Sequence, residues 1–189
     1  MSTPIAHSLC GAAIGVGSGK SADWKLLLLI MVAANLPDLD YLPGLLVGRP
    51  NVFHHGPTHS VAAAVLVGLA AGVYLHLFNA KPFWRMAGLF AGAYASHLVL
   101  DYFTVDTSAP FGEMLFWPFS KAYFMSPVTV FRDIHKGGTN AAFFANVFQL
   151  HNLITGLSEL AVWTPVVFLA RWVRRRGSKK KDGQRMTNV

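Results

Sequence analysis

The chain has almost no cysteine. Cys10 stands alone among 189 residues, which excludes an intramolecular disulfide and a zinc site built from thiolates; beside Gly11 it reads as a small packing residue. Charge is scarce as well: 13% of the residues are Asp, Glu, Lys or Arg and 53% are hydrophobic, more apolar than a water-soluble domain needs. Between Ser60 and Phe78 no charged residue occurs at all, and that length matches the ~20 residues a helix needs to cross ~30 Å of hydrocarbon. Met1 to Ile5 lacks the positive charge of a secretory leader, and no cleavage site follows the leucine run near residue 27. The first thirty residues are therefore expected to stay in the mature protein. No internal repeat is present, and low complexity is confined to the basic stretch "RWVRRRGSKKKDGQR".

What is present predicts an all-α fold, a polytopic membrane helix bundle with three long spans and two short N-terminal helices. The long spans are Ser60 to Phe78, Phe83 to Phe103 opening after Pro82, and about Asn140 to Trp172. The short helices are "IAHSLCGAAIGVG" and "WKLLLLIMVAAN", each too short to be assigned as a full crossing. Residues 1–172 form the transmembrane domain carrying a metal site, 104–139 an outer-face loop within it, and 173–189 a basic cytoplasmic tail. Lys and Arg mark the cytoplasmic side of a bacterial inner membrane. With the tail inside, Lys20, Lys25, Lys81 and Arg85 fall inside too, and of the sixteen Lys and Arg only Arg49, Lys121, Arg132 and Lys136 fall outside. The tail gives most of the net charge of +7 and reads as an anchor on anionic lipid. Nucleic acid is not an expected partner, since no aromatic or motif context accompanies the basic run.

This topology gathers the histidines and acids on the outer side. His7 opens the first short helix, Asp38 and Asp40 follow the second in "NLPDLDYLPG", and His54, His55 and His59 precede the charge-free span in "HHGPTHSV". His97 and Asp101 lie in the outer third of the next span, and His151 and Glu159 enter the last helix. Ionisable groups at membrane depth are costly and usually functional. The spacings suit a metal better than a hydrolytic triad. His97 and Asp101, four apart, share one helix face. Asp38 and Asp40 straddle a turn that Pro37 helps to force, while Gly56 and Pro57 allow a reversal that aims His54 and His59 into one cavity, with Thr58 and Ser60 ready to cap the next helix.

Metal ligands are therefore expected at His7, Asp38, Asp40, His54, His59, His97 and Asp101, around one or two divalent ions, zinc or manganese. Glu159 or Asp40 is expected to take a proton, and His55, Thr58, Ser60, Thr104 and His151 to support the site or the substrate. His76 and His135 are read as structural. The expected reaction is attack of activated water on a phosphoester or related bond of a lipid or lipid-linked substrate. Lys121, Arg132 or Lys136 would hold a phosphate, and the aromatic loop "FGEMLFWPFSKAYFMSPVTVF" would form an interfacial rim. Two non-catalytic alternatives stand beside this: a metal or proton carrier, which would need polar residues continuing to the inner face, and a regulatory protein binding a cytoplasmic partner through its tail. Membrane lipids are the expected surroundings; the oligomeric state is not encoded legibly.

The series "TPIAHSLCG", "NLPDLDYLPG", "HHGPTHSV" and "GAYASHLVLDYFTVDTSAPFGEMLFWPFS" resembles the YdjM family of inner-membrane, metal-dependent hydrolases over roughly residues 3 to 120. The resemblance implies that His7, Asp38, Asp40, His54, His59, His97 and Asp101 occupy the family's motif positions. Two departures stand out. His55 occupies the place of the family's usual Arg, and "TVDTSAPFG" is longer than the link expected before "LFWPFS". His151 and Glu159 lie beyond the matching stretch.

Overall fold

The computed structural model describes residues 1–19 and 23–186. Lys20, which the topology puts inside, and the last three residues of the tail lie outside the described residues. The fold is all-helical: α1 (Pro4–Gly17), α2 (Trp24–Ala33), a 3-10 turn (Leu36–Asp40), α3 (Tyr41–Leu46), a second 3-10 turn (Pro50–Val52), α4 (Val61–Asn79), α5 (Phe83–Tyr102), α6 (Asn140–Val147) and α7 (Leu150–Met186). Local chemistry sets the helix starts. Thr3 accepts from the Ile5 N–H, with Pro4 at the first helical position of α1; Asp23 caps α2; Ser60 accepts from the Ala63 N–H at the head of α4.

Helices α4 and α5 pack most closely, and small residues are the reason. A Cβ added at Gly68 would lie 2.6 Å from both the Ala87 carbonyl and the Ala91 methyl, and one at Gly72 would lie 2.9 Å from the Ala87 methyl. With Ala64 buried one turn earlier, this is the small-xxx-small contact by which helices approach each other in lipid. Gly11 of α1 does the same against α2, where its added Cβ would meet Ala34 at 3.0 Å. The packed core joins Ile30, Ala33 and Ala34 to Met86, Phe90 and Ala93.

Two helical stretches, Val61–Asn79 and Leu150–Ser178, are long and apolar enough to cross a membrane, and a third span results if Trp24–Ala33 and Leu36–Leu46, bent by 54°, count as one. The expected grouping is thus revised in two places. Helix α5, expected as a long apolar span, has 20 residues but is not among the helices apolar enough to cross on their own: one face, with Met86, Phe90, Ala93, Tyr94, His97 and Asp101, is buried in protein, while Trp84 and Val99 face outward. The helix expected from Asn140 to Trp172 is broken after Val147. There the Asn152 amide donates to the Asn146 carbonyl at 2.7 Å, and the Gln149 N–H to the same carbonyl at 3.0 Å, so polar groups take over helical hydrogen bonds. Beyond the break α7 runs without interruption through the basic stretch as far as Met186.

Arg85 donates to the Ser18 carbonyl at 2.9 Å and Arg174 to the Val16 carbonyl at 3.2 Å. These cations collect where α1 ends. The histidines and aspartates collect where it begins.

Candidate metal centre

Four segments build the site. His7 lies on the first turn of α1, fully buried. Pro37 and the 3-10 turn that follows Leu36 carry Asp38 and Asp40 in successive directions. His54 and His55 are neighbours in the chain and would ordinarily diverge; His55 adopts the left-handed conformation, φ 63°, uncommon outside glycine, and both rings turn inward. His59 follows, held by a loop whose Thr58 carbonyl accepts from Tyr94 Oη at 2.7 Å. His97 and Asp101, one turn apart on α5, complete the group.

Asp38, His59, His97 and Asp101 each offer a ligand atom within 4.8 Å of the others. From His97 Nε2 the distances are 3.2 Å to His59 Nε2, 3.5 Å to Asp38 Oδ1 and 3.3 Å to Asp101 Oδ2; His59 Nε2 lies 3.8 Å from Asp38 Oδ1. A tetrahedral zinc site with bonds of 2.0–2.1 Å has ligand edges of about 3.3 Å. The tautomers sharpen the point. His97 Nδ1 lies 2.9 Å from the Ala34 carbonyl, which only accepts, so this nitrogen carries the proton. His59 Nδ1 lies 3.2 Å from the Thr58 hydroxyl, which gives its own proton to Asp40 Oδ2, and 3.0 Å from that carboxylate oxygen, so it too carries the proton. In their neutral forms both Nε2 atoms then present lone pairs to each other and to two carboxylates. Such an arrangement needs a cation or a shared proton at its centre. Both Asp38 oxygens and Asp101 Oδ2 are buried without hydrogen-bond partners, so the residues fit a divalent ion.

Asp40, expected as a ligand and proton acceptor, lies outside that group of four. Its Oδ1 faces His54 Nδ1 at 2.9 Å, and its Oδ2 accepts from the His55 N–H at 3.1 Å and the Thr58 hydroxyl at 2.9 Å, besides facing His59. This is the carboxylate–histidine arrangement that fixes a ligand's tautomer. His54, His55 and His59 form a second set that could hold an ion, with His54 Nε2 and both His55 nitrogens unpartnered. Burial, reinforced by the neighbouring His55, holds the His54 and His59 imidazoles well below their ordinary range, so both are neutral and able to coordinate. His7 stacks on His97 at 3.6 Å and reaches Asp101 Oδ1 at 3.5 Å.

The long link after Thr104 explains the other departure. It carries Asp106, whose Oδ2 lies 3.3 Å from His55 Nδ1, while His55 Nε2 lies 3.7 Å from Asp101. The imidazole standing in the family's arginine position is thus held between two carboxylates. Burial would raise the Asp106 carboxyl, but His55 and Lys136 outweigh it and hold it down to about 2.

Other expected residues serve the scaffold. Ser60 caps α4 and donates to the Pro57 carbonyl at 2.7 Å. Thr104 donates to the Leu100 carbonyl at 2.7 Å and meets Ser2 Oγ at 2.8 Å. Glu159 accepts from the Thr3 N–H at 3.1 Å and from the Thr3 hydroxyl, fastening the N-terminal segment to α7. That segment also reaches the site, since the Ser2 N–H donates to Asp101 Oδ1 at 2.7 Å. His151 lies 3.4 Å from Asp133 Oδ1 and stacks at 3.9 Å on His135, a separate group of three that could hold an ion. His135, read as structural, therefore has metal-competent company. His76 faces the Lys81 carbonyl at 3.0 Å, in keeping with its structural reading.

Sequence reasoning missed Glu113. Its side chain is fully buried and neither oxygen has a partner, and burial together with the charge of Asp101 pushes its carboxyl well above the usual range. The signal was available: a lone carboxylate inside the apolar run "PFGEMLFWPF".

Comparison with curated proteins gives no match, and neither does comparison with solved structures. The family model described as YdjM inner membrane protein matches residues 1–178, nearly the whole chain, and this protein belongs to that family.

Proposed function

We propose that this chain is a membrane-embedded, metal-dependent hydrolase, with its site at the outer face of the inner membrane and the basic end of α7 in the cytoplasm. Its substrate is a phosphoester or related bond in a lipid or lipid-linked molecule. The observation that carries the reading is the convergence of two imidazole lone pairs and two carboxylates at 3.2 to 3.8 Å, buried and otherwise unsatisfied. Support for the orientation is the segregation of Arg85 and Arg174 at the opposite end of α1.

A divalent ion held by Asp38, His59, His97 and Asp101 would supply Lewis acidity and acidify water. The chain's own residues do the rest. Asp38 is the ligand that borders the neighbouring cavity, its side chain 14% exposed where Asp101 and both histidines are fully buried. Its two oxygens are buried and unpartnered; with Oδ1 turned toward the group, Oδ2 would accept the proton of a water admitted from the cavity. Water oxygen bonds to phosphorus, the P–O ester bond breaks, and the proton passes to the departing alkoxide. Lys136 Nζ, 3.9 Å from Asp106 Oδ1, stands ready to steady a phosphoryl oxygen.

The reading is tested by incubating purified protein with zinc or manganese and liposomes of phosphatidic acid, phosphatidylglycerol or a prenyl diphosphate, and following release of phosphate or headgroup. Turnover lost in both His97→Ala and Asp38→Ala supports it. Turnover equal in wild type and variants, or none with any of these lipids, contradicts it.

A further inference from the structure

Beside the centre lies a cavity of about 590 Å³ enclosed by α1, α3, α6, α7 and the segment before α6. Its walls are mostly apolar, with Ile5, Phe143, Leu153 and Leu157 among them, and its polar lining includes Asp38 and Lys136. The rim reaches the outside of the bundle: Leu157 is 66% exposed on a helix apolar enough to cross the membrane. Lys136 is unusual, because its side chain is 3% exposed and its closest counter-charge, Asp106, lies at 3.9 Å, beyond hydrogen-bond length. A buried ammonium without a close partner is costly.

We infer that this cavity takes one long acyl or prenyl chain of a lipid phosphate, entering sideways from the bilayer between α6 and α7, with the phosphate drawn to Lys136 beside Asp38. The inference rests on the hydrolase reading for what happens at the phosphate, but the cavity is a site of its own. At about 30 Å³ for each methylene-sized group, the volume holds on the order of twenty carbons, which is one long chain rather than a diacyl pair. Asp38 would repel a phosphate; Lys136 is the one Lys or Arg among the cavity's described lining residues, which also include Met1 and His135. A chain leaving lipid for an apolar cavity gains little from hydrophobic transfer. The cavity therefore acts mainly by orienting the headgroup toward the centre rather than by concentrating the lipid.

Gly156 allows a clean test. A methyl added there would stand in ordinary contact with Ile5, 3.5 Å away, whereas a larger side chain at this lining residue takes up space in the cavity. Full-length protein in nanodiscs is irradiated with hexadecyl phosphate bearing a diazirine at its terminal carbon, with and without chelator, and labelled residues are mapped by mass spectrometry. Metal content is read on the same samples. Labelling concentrated on the 147–160 segment is expected, retained in Gly156→Ala and reduced about tenfold in Gly156→Phe with metal content unchanged. Leu157→Trp is the second plug should Gly156→Phe fail to fold. Label spread equally over the exposed faces of α4, or unaffected by either plug, overturns the cavity assignment and leaves the hydrolase reading untouched. Cavity labelling in protein that binds no metal does the reverse.

Discussion

Asp40→Asn separates a positioning carboxylate from a ligand. Asp40 faces four donors, at His54 Nδ1, the His55 N–H, the Thr58 hydroxyl and His59 Nδ1, at 2.9 to 3.1 Å. An asparagine keeps one acceptor. If its oxygen serves the three donors on the Oδ2 side, its NH₂ faces His54 Nδ1, which must then accept, and the proton moves to His54 Nε2. If the amide is turned over, its NH₂ donates to the Thr58 hydroxyl, which then turns its own proton toward His59 Nδ1. Either way one ring is left in the wrong tautomer. Loss of such a partner weakens metal binding by roughly 10–100-fold, or about 1.4 to 2.8 kcal/mol, while the coordinating atoms all remain. The assay is competition with a chromophoric chelator, giving affinity and stoichiometry together. Unchanged stoichiometry at saturation with affinity lowered in that range is expected. Loss of the ion as complete as in Asp38→Ala would make Asp40 a ligand, and affinity within about threefold of wild type would refute the positioning role.

Further outcomes follow from the packing and the buried acids. Gly68→Leu must push against the Ala87 carbonyl and the Ala91 methyl, both 2.6 Å from an added Cβ, and should destabilise the protein in a detergent-denaturant titration by about 3 kcal/mol or more. Glu113, whose carboxyl is raised in the folded protein chiefly by burial, contributes least stability where it must ionise. In metal-free protein, Glu113→Gln should therefore leave the melting temperature nearly unchanged near pH 4 and raise it as the pH climbs toward about 8; an equal shift at both ends would show the residue acting through packing alone. Glu159→Ala removes the acceptor of the Thr3 N–H and hydroxyl and should cost about 2 to 3 kcal/mol, with metal stoichiometry unchanged. Removal of the ion by His59→Ala would locate the centre, whereas retention would shift it toward the Asp133–His135–His151 group.

Much of the centre was legible because short-range geometry encodes it. His97 and Asp101 four apart must share a helix face, and Gly56 with Pro57 must turn the chain between His54 and His59. The roles of Asp38 and Asp40 were not legible: residues two apart in a 3-10 turn point in different directions, and only the elements above and below decide which meets the ligands and which meets their backs. His151, Thr155 and Glu159, at four-residue steps, share one face of α7, with Thr155 and Glu159 buried. Helical periodicity identifies a face but not what covers it, and here it is Thr3 and Asp133. Asp106 reaches the site, and Glu113 is buried, from irregular backbone, for which no periodicity exists. Helix α5 was read as a span from its apolar middle, and its buried polar residues, His97 and Asp101 among them, are what keep it below the composition of the helices apolar enough to cross on their own.

The central claim is that the convergent lone pairs of His59 and His97 and the carboxylates of Asp38 and Asp101 hold a divalent cation. Elemental mass spectrometry of detergent-purified protein, wild type beside His97→Ala and Asp38→Ala, tests it most directly. The account predicts about one to two zinc or manganese per chain in the wild type and loss from both variants. Folded wild-type protein that carries no metal, and takes up none on incubation with zinc or manganese, would contradict it and leave a shared proton between the two imidazoles as the occupant of the site.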